Sequence, residues 1–257
     1  MLKQIINGRV LTPQGWLEGG SVIIDGNKIL AVSNSDLHIV NAQIIDAKGC
    51  YVVPGGVDLH VHGGGGRDFM EGTEEAFRVA IKAHMKHGTT SIFPTLSSST
   101  VPMIEAACET CQKLMEEENS PVLGLHLEGP YFNPKQAGAQ IPEWIKPPVA
   151  EEYEPLLDKY PCIKRWDEAP ELPGSVEFIQ SCRKHGVVAS IGHTRATYAD
   201  VVAGHNAGMM HATHFYNAMP VVYKEHEFKV PGTVESVYAL PDMTVEVIAD
   251  GIHVPPV

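Results

Sequence analysis

The sequence is poor in positive charge. Its 257 residues hold 19 Lys plus Arg against 31 Asp plus Glu, a formal net charge of -12. Phosphate backbones and anionic membranes need a basic footprint, so no nucleic acid and no membrane is expected as a partner. A small anionic ligand remains open, because one local cation can outweigh the global charge. Cysteine is also sparse. Cys50, Cys108, Cys111, Cys162 and Cys182 are scattered, unlike the dense spacing of a disulfide scaffold, and this points to a reducing compartment. Cys108 and Cys111 form a CxxC inside an apparent helix without a second CxxC, which is read as helix packing. No stretch approaches the ~20 apolar residues of a membrane span. The start, MLKQIINGRVL, lacks a basic segment leading into an apolar run, so no signal peptide is expected. The cytoplasm is the expected location. No low-complexity tract or fixed-period repeat is present.

What is present is turn-forming residues and alternating elements. The 24 Gly and 19 Pro imply many turns. Up to about residue 52, IINGRVL, GSVIID, KILAVS and AQIIDA read as short strands bounded by Gly, Asn or Asp. They predict a small N-terminal β-sandwich-like unit over residues 1–52. From residue 53 the pattern alternates strand and helix. Strands are expected at 57–62, 89–96, 122–129, 163–171, 187–193, 210–215 and 244–251. Helices are expected at 75–86 (closed by Gly88), from Thr100 with Pro102 in its first turn to about 118, near 150–160, at 174–185 and at 197–207. Such βα units build a parallel sheet. The fold class is therefore α/β, a (β/α)8 TIM-type barrel with about seven of its eight strands, over residues 53–257. One further βα unit is expected beyond residue 257.

His60 and His62 form an HxH at the end of the first barrel strand. Residues two apart on a strand face the same way, so both imidazoles can reach one ion. Alone, the pair is weak evidence, since His is also commonly a satisfied polar core residue. Similar residues recur at other strand ends: Glu128 in LHLEGP, His193 in SIGHT and His214 in HATHF. In a TIM barrel these ends make one rim, where active sites lie. Imidazole plus carboxylate suits Zn(II), Fe(II) or a similar ion. The bland alternative, four structural histidines and a paired Glu, requires burying a carboxylate at considerable cost. Such a centre suits amide hydrolysis, since a metal lowers the pKa of bound water towards neutral and polarises the carbonyl. A general base must then protonate the leaving amine.

PGGVDLHVHG, GLHLEGPYFNP, SIGHT, THFYNAM and ADGIHV, in that order from about residue 8 to the end, resemble the N-acetylglucosamine-6-phosphate deacetylases of the amidohydrolase superfamily. HxH alone indicates the superfamily; the other motifs together are more specific. The resemblance covers essentially all of this chain but about two-thirds of a typical member. It implies a divalent metal, one or two ions per subunit, Zn or Fe. Glu128, His193 and His214 would bind the principal ion. His60 and His62 would bind a second, with Glu128 as a bridge. His253 of ADGIHV would contact the substrate acetamido group and stabilise the oxyanion. Asn217 and Ala218 would contact substrate, Ala218 through its backbone.

The chain also departs from the resembled pattern. Gln140 stands where many relatives have a His, and Lys229 stands where many have a phosphate-binding Arg. Lysine can bind phosphate as a point charge but lacks the guanidinium fork. The family's catalytic Asp would fall beyond residue 257, so the 257 residues alone are expected to be inactive. The strands completing the N-terminal unit would also lie there. The leading expectation is deacetylation of N-acetylglucosamine 6-phosphate in amino-sugar catabolism by a homodimer. The alternatives are an unphosphorylated or different N-acyl substrate, and a non-catalytic scaffold. His84, His87 and His185 at helix ends, His205 and His211 around Gly208, and His38 and His226 in polar loops are read as structural. The Gly63–Gly66 run lacks the GK[ST] of a phosphate loop and reads as flexible backbone beside the metal site. The acidic run at 116–118 reads as a solvated helix end.

Overall fold

The computed structural model describes residues 1–35, 37 and 39–255. His38 lies outside them. The chain divides into two compact units, Met1–Gly56 and Val57–Val257.

In the first unit, β1 (Leu2–Thr12) pairs antiparallel with β2 (Gly15–Asp25), and β2 with β3 (Lys28–Ser33). The strands β4 (Gln43–Asp46) and β5 (Tyr51–Val52) run parallel to β1. Among the described residues the strands of this unit form one mixed sheet. Val10, Val22 and Ile23 are buried, whereas Ile29, Leu30, Ile44 and Ile45 are exposed.

The second unit opens with β6 (Gly56–Val61), followed by the small hairpin β7 (Gly63–Gly64) and β8 (Arg67–Asp68). Gly65 and Gly66 turn this hairpin at φ 62° and 83°, which glycine adopts without strain. A Cβ on Gly63 would lie 2.1 Å from the Arg67 carbonyl. The glycine run is therefore built hairpin, correcting the expectation of flexible backbone. Then follow α1 (Glu74–Met85), β9 (Thr89–Leu96), α2 (Val101–Met115), β10 (Leu125–Glu128), α3 (Ala150–Lys159) and β11 (Ile163–Glu168). The unit continues through α4 (Ser175–Lys184), β12 (Val188–Ile191), α5 (Tyr198–Ala207) and β13 (His211–Ala212). A second small hairpin, β14 (Tyr223–Glu225) and β15 (Phe228–Val230), precedes α6 (Thr233–Tyr238) and β16 (Thr244–Val245). The large sheet has the order β16-β13-β12-β11-β10-β9-β6. It is the curled parallel sheet of a TIM-type barrel, with seven strands. Among the described residues no helix is long and apolar enough to cross a membrane.

Local sequence explains the helix ends. Thr73 accepts a hydrogen bond from Ala76 N at the start of α1. Thr197 and Asp200 form a reciprocal capping box on α5, satisfying donors that a helix start leaves unpaired. Thr100 sits at the N-cap of α2, yet its hydroxyl makes no cap bond. That helix stops at Met115, short of the expected 118, and Asn119 follows with φ 59°. The strands β13 and β16 are two residues each, against the six and eight expected. Their ladder runs only from His211↔Thr244 to Ala212↔Val245. Among the described residues β16 has a neighbour on one side, and beyond Ala212 the chain leaves the strand conformation.

The core lies between sheet and helices. Trp166 is stacked on Tyr131 at 5.6 Å and meets Phe178 edge-on at 5.2 Å, all fully buried or nearly so. Each such side chain contributes roughly 1.5–3 kcal/mol by leaving water. Cys108, Cys111 and Cys162 are buried in the same core as free thiols, in keeping with a packing role for the CxxC.

Candidate metal centre

The C-terminal strand ends converge on Glu128. This carboxylate closes β10 and is almost fully buried. His193 Nε2 and His214 Nε2 each lie 3.1 Å from its Oε1, and 3.1 Å from one another. On the other side, His62 Nε2 lies 3.3 Å from Oε2 and His60 Nε2 3.6 Å from Oε1, with the two histidine nitrogens 3.2 Å apart. Nitrogens and oxygens at such spacings are what the coordination sphere of one ion with ~2.0–2.2 Å bonds would bring together. Glu128, His193 and His214 form one compact group able to hold an ion, and His60, His62 and Glu128 another. The donor set thus fits one or two divalent cations, with Glu128 shared.

Backbone strain clusters here. His193, His214, Tyr216 and Ala218 all have positive φ, at 44°, 29°, 79° and 51°. Non-glycine residues avoid this region unless the surroundings enforce it, and such residues gather at functional sites. The loops answer part of the cost: Thr194 N donates to Ala218 O at 3.1 Å, and Asn217 N to His214 O at 2.9 Å.

Charge is held in the site by mutual contact. Burial would raise the Glu128 carboxyl, yet bonds to His193, His214, His60 and His62 hold it well below the ordinary range. Burial would depress His60, but Glu128 and Glu246 outweigh it and hold the imidazole up at about 10. His193 is raised in the same way, mainly by Glu128 against burial. These are properties of carboxylates and imidazoles sharing protons; a cation would take the protons' place.

The centre lies at the floor of an open cavity of ≈ 710 Å³. Gln140, Asn217, Ala218 and His253 line it together with all five candidate ligands. Gln140 is buried, donates to Glu128 Oε2 at 2.7 Å and accepts from Ser98 N at 2.7 Å. It touches the shared candidate carboxylate directly. His253 Nδ1 lies 2.7 Å from Asp250 Oδ2, and the carboxyl of exposed Asp250 is lowered to about 2 by bonds from the His253 and Ile252 backbone and the His253 ring. Lys229 does not join them. It is exposed on β15, opposite Lys224 in the hairpin, and is absent from the cavity wall. The cavity wall carries no Lys or Arg among the described residues.

Sequence reading missed a further set of polar residues around the candidate ligands, of which Glu246 also lines the cavity. Glu246 follows β16, with its Oε1 2.9 Å from His60 Nδ1. Arg165 on β11 grips Glu246 through Nη1 (2.6 Å) and Nη2 (2.8 Å). His126 Nε2 lies 2.8 Å from Asp167 Oδ2, both fully buried. Burial lowers His126 to about 4, keeping it neutral. Ser97 Oγ lies 3.2 Å from His62 Nδ1. The signal was available: His126 stands two before Glu128 and Arg165 two before Asp167, the same period that relates His60 to His62. Three of the helix-end histidines have contacts away from the cavity. His84 Nε2 contacts Gly63 O, His185 Nδ1 contacts Ser181 O, and His205 pairs with Asp242.

Residues 51–257 match the model of the Amidohydrolase family. The chain belongs to the amidohydrolase family. It is 33% identical over 252 residues to the N-acetylglucosamine-6-phosphate deacetylase of Bacillus subtilis (strain 168), covering 95% of this chain and 62% of that protein. The crystal structure of N-acetylglucosamine-6-phosphate deacetylase from Pasteurella multocida superposes with a TM-score of 0.91 at 29% identity, covering 99% of this chain and 66% of that one. A mutant of the Mycobacterium smegmatis deacetylase in complex with N-acetyl-D-glucosamine-6-phosphate matches with a TM-score of 0.87 at 28% identity, covering 98% and 65%. This amidohydrolase chain therefore spans less than two-thirds of the length of these relatives.

Proposed function

We propose that the protein hydrolyses the acetamide of N-acetylglucosamine 6-phosphate, releasing acetate and glucosamine 6-phosphate. The observation carrying this reading is the convergence of Glu128, His60, His62, His193 and His214 on the floor of one open cavity, in a chain resembling deacetylases of this substrate. The cavity also has room for an aminosugar phosphate above the ligands.

Glu128, His193 and His214 would hold the principal ion, and His60 and His62 a second, Zn or Fe. When bound, such an ion supplies Lewis acidity towards the acetyl carbonyl and a lowered pKa for water. The chain's own residues then position the substrate. Asp250 fixes the His253 ring through Nδ1, so that Nε2 can donate to the carbonyl oxygen as charge develops there. Asn217 and the strained backbone at Ala218 border the same space. In the reaction a water oxygen adds to the acetyl carbon, the carbon–nitrogen bond breaks, and the amine leaves with a proton. Gln140 would keep Glu128 oriented as well as border the substrate.

The 6-phosphate is the less supported half. Lys229 lies outside the cavity wall, and no other Lys or Arg borders it among the described residues. This observation favours a second reading, deacetylation of an unphosphorylated or different N-acyl compound. Acetate release by the full-length protein, given N-acetylglucosamine 6-phosphate and N-acetylglucosamine side by side, tests both. Preference for the phosphorylated sugar is expected, and equal or reversed preference moves the activity to another substrate. No release from either would revive the scaffold reading. A homodimer belongs to the same proposal and is checked by sedimentation.

A further inference from the structure

Glu246 touches both halves of the metal centre without belonging to either ligand group. Its Oε1 lies 2.9 Å from His60 Nδ1 and accepts from the backbone N–H of His214 at 3.2 Å. Its own position is fixed. Arg165 holds both carboxylate oxygens, Nη1 to Oε2 at 2.6 Å and Nη2 to Oε1 at 2.8 Å. This two-point grip of guanidinium on carboxylate allows little rotation. Arg165 is in turn buried and oriented by Asp167 Oδ1 (3.2 Å), Ser190 Oγ (3.2 Å) and Thr213 Oγ1. The backbone adds ladder bonds at the same place, from Phe215 N to Glu246 O at 2.8 Å and from Glu246 N to Ala212 O at 3.1 Å.

A histidine that binds a metal through one ring nitrogen needs the other nitrogen held, or its tautomer and ring angle are undetermined. For His60, Nε2 is the nitrogen facing Glu128 and His62, and Nδ1 is the nitrogen facing Glu246. A carboxylate there accepts the Nδ1 proton and leaves the Nε2 lone pair directed at the ion.

We propose that the Arg165–Glu246 pair is a positioning device for the His60 side of the metal centre, fixing the His60 tautomer and ring and tying them to the backbone at His214. This rests on the reading of the cavity as a metal centre. Glu246 and Arg165 are positioning residues in this proposal, acting through His60, although Glu246 also borders the cavity. The competing account is that Glu246 serves only as the counter-ion of buried Arg165, with His60 an incidental neighbour. Under that account its loss lowers stability and leaves ion affinities alone.

The experiment is a Zn(II) titration of the metal-stripped full-length protein against a chromophoric chelator, for wild type and Glu246→Gln. Thermal melts and acetate release are recorded on the same samples. The expected result is a 10–100-fold weaker second ion in E246Q, the usual effect of removing a partner behind a ligand. The ion at Glu128, His193 and His214 should change less than about threefold. Wild-type affinity for both ions in E246Q, or an equal weakening of both, overturns the proposal. Should E246Q fail to fold, nitrogen-15 spectra of the unmutated Zn-loaded protein decide instead. His60 must carry its proton on Nδ1 and the metal on Nε2, and the reverse tautomer overturns the proposal. Wild-type protein that binds two ions but releases no acetate would sink the deacetylase reading while leaving the clamp intact. Wild-type protein that binds no ion would overturn both.

Discussion

The two faces of β11 are built for different tasks. Arg165 and Asp167 point into the barrel, towards His126, Ser190, Thr213 and Glu246. Trp166 and Glu168 point to the helices, where Trp166 packs on Tyr131 and Phe178. Four consecutive residues thus alternate between an ion network and an apolar shell, as the two-residue period of a strand requires. Most barrels fill their lumen with branched apolar residues. Here the floor of the lumen is charged, and every charge in it reaches a partner that leads towards the strand-end histidines. The lumen is organised around placing donors, the outer face around excluding water.

The sharpest way to break this comparison is to remove a donor at the rim. His214→Ala should abolish uptake of the principal ion and cut acetate release by roughly 10³-fold, about 4 kcal/mol of transition-state stabilisation. Atomic-absorption metal analysis and turnover check it. Melting temperature of the metal-free protein should move little. Next comes the buried network. Asp167→Leu leaves Arg165 and His126 without their shared carboxylate and should cost about 3–5 kcal/mol, read from urea unfolding. Trp166→Ala on the opposite face should cost a similar ~3–5 kcal/mol through a cavity. Metal affinity separates the two: it should fall for Asp167→Leu and hold for Trp166→Ala. Equal effects on metal binding would erase the distinction between the faces.

Glu168 is the exception on the outer face, a fully buried carboxyl whose oxygens find no hydrogen-bond partner among the described residues. Burial, with Glu171 nearby, raises it well above the ordinary carboxylate range. The folded protein therefore holds this proton more tightly than the unfolded chain. The resulting stability is full below the unfolded value near 4.5 and is lost as pH rises above it. Glu168→Gln should consequently raise stability at pH 8 by on the order of 1–2 kcal/mol, seen as a higher melting temperature, and leave both nearly unchanged at pH 4. A gap between variant and wild type that does not widen with pH would count against a neutral Glu168. The smallest effect is expected for Lys229→Ala, within about 0.5 kcal/mol of wild-type stability. A large rise in KM for the phosphorylated sugar in that variant would return Lys229 to the site.

The strand-end histidines and Glu128 were legible because each sits where periodicity changes from two to helical, and such junctions share one rim. Element order was legible for the same reason. The lower network was not, because sequence reading attends to strand ends and Arg165 and Asp167 lie within one. Glu246 was hidden by register: only the pairing of Ala212 with Val245 sets its height beside His214. The short β13 and β16 were overestimated since apolar alternation runs on past the point where ladder bonding stops. Lys229 was aligned by resemblance to a motif, and it is exposed on a hairpin and not among the residues lining the cavity.

The route of the chain through the centre also has a kinetic consequence. His60 meets Glu246 across 186 residues of sequence, and His214 meets Glu128 across 86. Loops of that length close late, because their entropy must be overcome before the contact forms. Tight ion binding at this centre would therefore require nearly every strand to be in place, and a bound-ion signal appearing during refolding would report assembly of the parallel sheet.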